Sequence, residues 1–194
     1  GAGTYTITVR DANSCIRNSA AISLISPSAI TVTPTPTAAS CFGVADGSVT
    51  VSASGGTGLL QYSINGTTFQ SSTFFSGLNA STYAITVRDI NLCTTTQNAT
   101  VTQPLALLAT GNASLVTCSG GNDGTVTITG TNGTAPYTYS FNGGSYGASN
   151  NFTSLSANNY TISVKDSKGC IGNNNVTVTS NPVITGPITI STPI

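Results

Sequence analysis

The chain repeats itself with a period of 77 to 78 residues, and this periodicity constrains its fold more than any other feature. The tyrosines of three similar segments, GTYTITVRDANSC, STYAITVRDINLC and NNYTISVKDSKGC, are Tyr5, Tyr83 and Tyr160. A second segment, CFGVADGSVT at Cys41, returns as CSGGNDGTVT at Cys118. Residues 41–93 and 118–170 align without a gap and share 21 of 53 positions. Self-similarity at a fixed period predicts a tandem array of small domains rather than one core.

The repeat predicts four parts of the array, and both ends of the chain are expected to fall within a copy. Prolines at Pro27, Pro104 and Pro182 mark the start of successive copies. The predicted parts are the C-terminal part of a truncated copy at 1–26, complete copies at 27–103 and 104–181, and the first strand of a further copy at 182–194.

Apolar and polar residues alternate along several short segments, which is typical of half-buried β-strands. Val49 and Val51 alternate with Thr50 and Ser52, and AsnGly at 65–66 is a hairpin-type turn. Six or seven such strands per copy, without helical periodicity, predict an all-β fold of tandem immunoglobulin-like antiparallel β-sandwiches. Tyr5, Tyr83 and Tyr160 are the predicted structural tyrosine corners, with buried rings and hydroxyls that tie down a loop.

Five cysteines recur at fixed places in the repeat, which favours disulfides and an oxidising, extracytoplasmic setting. The preferred pairing is within each copy, Cys41 with Cys93 and Cys118 with Cys170, and Cys15 is expected to pair outside these residues. In a strictly alternating sandwich, however, these partners would lie at opposite poles. A bond between neighbouring copies, Cys41 with Cys170, is therefore the alternative, and reduced thiols are a third.

Composition excludes several function classes. The five cationic side chains and five aspartates give a formal net charge of zero, which is unlike a nucleic-acid-binding surface. No apolar run approaches the 18 residues of a membrane-spanning helix. The chain has no His and no Glu, and no cysteine has an evident base beside it, so we predict no enzyme, no catalytic residues and no cofactor.

The aspartates occupy turn positions, where a carboxylate accepts bonds from nearby backbone N–H groups. The alternative is calcium bound between domains, for which the candidate ligands are Asp46, Asp89, Asp123 and Asp166. Calcium takes six to eight oxygen ligands, so one or two carboxylates per pole would make at best a poor site.

Three motifs together resemble the SprB-type repeat of bacterial cell-surface adhesins. They are C-x-G-x-x-D-G-[ST], G-T-x-x-x-x-Y-S and L-x-A-x-x-Y-x-I-x-V-x-D-x-x-x-C, and both complete copies carry all three. The resemblance implies very long extracellular proteins of gliding bacteria, displayed as filaments on the cell surface. It implies no enzyme activity.

We therefore predict a structural and adhesive segment of a long extracellular surface protein that provides reach and mechanical strength. Its expected partners are neighbouring copies in the same chain. One alternative is a subunit of a laterally packed, multi-chain fibre. Another is a carbohydrate-binding module that would bind surface glycans through Phe74, Tyr137 or Tyr146.

Overall fold

The computed structural model of the chain describes residues 1–183 and Gly186. Its regular structure is entirely β, with sixteen strands and no helix in the described part of the chain. The strands are β1 (Gly3–Tyr5), β2 (Thr8–Arg10), β3 (Ile16–Asn18), β4 (Ile22–Leu24), β5 (Thr31–Thr37), β6 (Gly47–Ser54), β7 (Gln61–Ser63), β8 (Phe74–Leu78), β9 (Ser81–Arg88), β10 (Thr94–Val101), β11 (Leu108–Ala113), β12 (Gly124–Thr131), β13 (Thr138–Phe141), β14 (Asn151–Leu155), β15 (Asn158–Lys165) and β16 (Ile171–Val178).

The chain forms two compact units. The first unit comprises Gly1–Thr37, Ser48–Gly77 and Ser81–Val101, and the second comprises Ala38–Gly47, Leu78–Ala80 and the described residues from Thr102 onward. Residues 38–47 therefore belong to the second unit, although they lie in the first copy of the sequence repeat. The predicted domain boundaries at 1–26, 27–103, 104–181 and 182–194 stay a prediction, and most of 182–194 falls outside the described residues.

Each complete copy folds as two three-stranded antiparallel sheets. The first copy has the strand orders β5-β6-β8 and β10-β9-β7, and the second has β11-β12-β14 and β13-β15-β16. Residues 1–26 form only two short pairs, β1-β4 and β2-β3, whose side chains are exposed. The predicted all-β, antiparallel sandwich is confirmed by these sheets.

Alternation along each strand produces the core. In β6, Val49 and Val51 are buried while Thr50 and Ser52 are exposed, because successive side chains of a strand point to opposite faces. The adjoining strand β5 contains Pro34 and Pro36, and it lies at the edge of its sheet. Proline is tolerated there because an edge strand has N–H positions that need no partner within the sheet.

The core of the second unit is made of nine buried apolar residues. They are Leu107, Ala109, Val116, Val126, Ile128, Ile162, Val164, Val176 and Val178. Gly111 of β11 allows close packing against β16, since an added Cβ there would lie 2.9 Å from the Val176 Cβ.

In the described part of the chain, no helix has the length and apolar character needed to cross a membrane.

Two connections of each copy matter for function. The front loops, residues 38–46 and 114–123, join the first two strands of the copies. The back turns, residues 89–93 and 166–170, join the last two strands. Every cysteine of the two complete copies lies in one of these four segments.

Candidate functional site

Within the described residues, one disulfide joins a front loop to a back turn, and both connections belong to the second unit. Cys41 and Cys170 have an S–S distance of 2.02 Å and a Cα–Cα distance of 5.5 Å, and they lie 129 residues apart in sequence. The bond therefore links the first copy of the repeat to the second. In the chain-entropy model, closing a loop of this length stabilises the folded state by about 5 kcal/mol.

This bond corrects the preferred pairing of Cys41 with Cys93 and of Cys118 with Cys170. In the second copy, β12 starts at the front loop and runs eight residues to Thr131. Soon after, the Thr134 N–H donates to Asp166 in the back turn. The two connections are thus separated by a full strand, about 25 Å at 3.3 Å per residue. A disulfide needs Cα atoms closer than about 7 Å, so Cys118 cannot bond Cys170 in this fold. Cys41 is bonded to Cys170 and is therefore not available to Cys93.

The other three cysteines of the described residues, Cys15, Cys93 and Cys118, are exposed and form no disulfide here. Cys15 lies in the turn that follows Asp11, whose carboxylate accepts the Asn13 N–H at 3.0 Å and the Cys15 N–H at 2.9 Å. The back turns at Asp89 and Asp166 have the same carboxylate bonds, so this turn occurs three times among the described residues.

In each front loop, an aspartate organises the segment that carries the cysteine. The Asp46 carboxylate accepts the Ser40 N–H at 2.8 Å and also bonds the Ser40 hydroxyl. Asp123 accepts the Thr117 N–H at 3.0 Å and bonds the Thr117 hydroxyl. The hydroxyl bond, followed by the backbone bond, lowers the pKa of Asp46 and of Asp123 below the ordinary aspartate value.

In each back turn, an aspartate accepts three backbone N–H bonds. Asp166 accepts Lys168 and Cys170 at 2.9 Å on Oδ1, and Thr134 at 3.0 Å on Oδ2. Asp89 has the same arrangement in the first copy, with donors at Asn91, Cys93 and Thr57. Burial works to raise the pKa of both carboxyls, but the N–H bonds outweigh it and hold each pKa below the ordinary value.

These bonds bear on the calcium hypothesis for Asp46, Asp89, Asp123 and Asp166. N–H and hydroxyl donors already engage both oxygens of each carboxylate. Among the residues that the structure describes, no group of three or more metal-ligating side chains is close enough to hold an ion. The arrangement therefore favours construction of the loops over metal binding.

The predicted tyrosine corners have the expected hydroxyl bond at two of their three positions, but the predicted burial of the ring is wrong at Tyr5, which is 45% exposed. Tyr160 donates its hydroxyl to the Ser156 carbonyl at 3.0 Å, and Tyr5 donates to the Gly1 carbonyl at 2.7 Å. The Tyr160 ring also lies 4.9 Å from the Phe141 ring, centroid to centroid. Tyr83 occupies the corresponding position of the first complete copy.

The three aromatics considered for glycan binding differ in accessibility. Phe74 is 51% exposed. Tyr137 is half-buried and donates its hydroxyl to the Gly133 carbonyl at 3.0 Å. Tyr146 is half-buried, and the Lys165 ammonium lies 4.5 Å from the centre of its ring.

Sequence reasoning missed the donors of the aspartate bonds. Ser40 and Thr117 lie six residues before Asp46 and Asp123, and Thr57 and Thr134 lie 32 residues before the aspartates of the back turns. The signal was present, because each pair of donors is spaced by the repeat period.

Fold and site together define a tandem β-sandwich protein with a disulfide between sequence copies. The SprB repeat family model matches the chain at residues 31–69 and 110–145, one segment in each complete copy. This match confirms the resemblance seen in the motifs.

Two solved structures are similar to the chain. One, titled "Structural basis for Dscam isoform specificity", is 17% identical with a TM-score of 0.31, covering 92% of this chain and 54% of that chain. The other, "Sidekick-1 immunoglobulin domains 1-5", is 11% identical with a TM-score of 0.35, covering 93% and 46%. The chain thus spans about half the length of these proteins, and with TM-scores this low neither likeness adds to what the sheets show. No curated protein matches the chain.

Proposed function

We propose that this chain is a structural and adhesive segment of a long extracellular surface protein, in which tandem sandwiches provide reach and mechanical strength. The Cys41–Cys170 bond is the observation that carries this proposal. Strands β6 to β15 all lie between the two cysteines in sequence, so tension applied outside them passes through the bond. A covalent bypass that leaves only β5 and β16 of the two sandwiches in the line of tension is useful in a protein that bears load.

Two further features support an extracellular location. Disulfides persist in oxidising compartments and are rare in reducing ones. The matched family is a repeat of the SprB type, and resemblance to that family implies surface display.

The aspartates that an enzyme would need as acids or bases are instead bonded to backbone donors, as Asp166 is.

Immunogold electron microscopy of intact cells that express the chain tests this function. Antibodies raised against residues 27–181 should label the outside of unpermeabilised cells along thin projections, and pre-immune serum should not. Labelling that appears only after permeabilisation would contradict the proposal.

The same images separate the two structural alternatives. Labelled threads one domain wide support a single extended chain. Helical assemblies several chains wide would instead favour the laterally packed fibre.

A further inference from the structure

The unbonded front loop of the second copy has the conformation of the bonded one. Cys41 lies in a loop where the Ala39 N–H donates to the Thr102 carbonyl at 2.9 Å. At the equivalent place before Cys118, the Val116 N–H donates to the Thr179 carbonyl at 2.8 Å. The aspartate bonds of the two loops also correspond, as described above. The Cys118 loop therefore has the backbone geometry of the bonded loop, although Cys118 forms no disulfide in this structure.

The unbonded back turn of the first copy likewise matches the bonded one. The Asp89 N–H donates to the Cys93 carbonyl at 3.0 Å, and the Asp166 N–H donates to the Cys170 carbonyl at 3.0 Å. In both turns the cysteine N–H returns to the aspartate Oδ1 at 2.9 Å. Since Cys170 is bonded in this geometry, the Cys93 turn has the shape of a disulfide partner.

We infer that the front cysteine of every copy bonds the back cysteine of the copy that follows it. Cys41 and Cys170 are one example of this register. Cys118 is then the partner of the back cysteine in a following copy, and Cys93 is the partner of the front cysteine in a preceding copy. The inference rests on the repeated loop geometry and does not require the proposed function.

The surface around Cys93 favours a particular kind of front loop. In the first unit, Leu59, Ile90 and Leu92 are 87%, 70% and 69% exposed and line a common cavity with Asp89. At the bonded site the front loop contributes the large apolar side chains of Phe42 and Val44, which line a cavity with Leu107 and Ile171.

The bonded back turn is correspondingly small. Ser167 and Gly169 of the Cys170 turn replace Ile90 and Leu92 of the Cys93 turn. The Cys118 loop has Ser119 and Gly121 where the Cys41 loop has Phe42 and Val44. A small front loop of the Cys118 kind therefore complements the large apolar back turn at Cys93.

Formation of each bond converts two thiols to one disulfide and releases two protons and two electrons. A low-molecular-weight disulfide oxidant accepts the two protons and the two electrons and is reduced to two thiols. The reaction proceeds through thiolate attack and a mixed disulfide.

The test is a longer chain with a second copy of residues 27–103 inserted between Asn181 and Pro182. After oxidation with oxidised glutathione, mass mapping of non-reduced peptides should show Cys41–Cys170 and a new bond from Cys118 to the inserted counterpart of Cys93. Under the same conditions the original chain should form no protein disulfide at Cys15, Cys93 or Cys118, which stay as thiols or as mixed disulfides with glutathione. A bond between the inserted copy's own two cysteines, or a Cys118 that forms no bond to the inserted copy, would overturn the inference.

A matched variant separates failure to fold from failure to pair. In the longer chain, Cys118→Ser should keep the Cys41–Cys170 bond and leave the inserted counterpart of Cys93 reactive. If circular dichroism shows that the inserted copy does not fold, a second extension with residues 104–181 takes its place. Cys118 must then bond the inserted counterpart of Cys170 for the inference to stand.

Discussion

Breaking the Cys41–Cys170 bond should lengthen the stretched chain by a large and calculable amount. With the bond intact, a chain pulled from its two ends can extend only outside the closed loop. The cysteines are 129 residues apart, and an extended chain spans 3.3–3.6 Å per residue. The bond therefore hides roughly 430–460 Å of contour length.

Single-molecule force spectroscopy measures this length directly. Handles at the two ends of the oxidised chain should report no length gain from β6 to β15 at forces that leave disulfides intact. Adding a reducing agent, or substituting Cys170→Ser, should release the hidden length as the sandwiches unfold. The matched control is Cys93→Ser, which keeps the bond and should behave as the original oxidised chain. Equal contour lengths before and after reduction would refute the reasoning.

Three further substitutions test other parts of the structure. Gly169→Ala should lower stability by about 1 kcal/mol, because Gly169 has a φ of +89°, which residues with a side chain rarely adopt. At both Gly169 and Gly147 an added Cβ would meet no atom within 4 Å, so Gly147→Ala is the control and should be nearly neutral by thermal melting. Ile162→Ala should lower the free energy of unfolding by about 2–5 kcal/mol in urea, because Ile162 is fully buried, while Ile171→Ala at an exposed site should cost under about 0.5 kcal/mol. The folded pKa of Asp166 lies below the unfolded value of about 3.9, so the ionised carboxylate stabilises the fold above that pH, and this stability is lost as the pH falls through the folded pKa. Asp166→Asn should therefore flatten the dependence of melting temperature on pH below about pH 4. An unchanged slope in that variant would contradict the role of the carboxylate.

The strands were predictable because their alternation is local. Val49 and Val51 were expected on one face of a strand, and both are buried in β6. The AsnGly turn at 65–66 connects β7 to the segment that pairs back through Tyr62 and Gln70. Such features depend on neighbouring residues, which the sequence displays directly.

Disulfide pairing was not predictable in the same way. Within each copy the two cysteines have the same separation, so spacing cannot distinguish a bond inside a copy from one between copies. The choice depends on which pole of the sandwich each connection occupies. That in turn depends on the number of chain reversals between the first and last strands, including the short return at Gln70. Periodicity identifies strand faces but does not count reversals reliably.

The aspartate donors show a similar limit. Asp166 was placed in a turn from its sequence context, but Thr134 comes from a different connection 32 residues earlier. Only the packing of the two sheets brings them together. The equivalent pair, Asp89 and Thr57, gives the same bond and shows that the contact belongs to the repeat.

In an array with the inferred register, the bonds set a limit on length. The shortest covalent route crosses one bond, follows 25 residues from a back cysteine to the next front cysteine, as from Cys93 to Cys118, and crosses another bond. Each such step advances two copies yet contains only roughly 85 Å of extensible backbone, against roughly 500–550 Å for two copies fully drawn out. An oxidised thread of this kind would stiffen abruptly under load, whereas a reduced one would yield sandwich by sandwich.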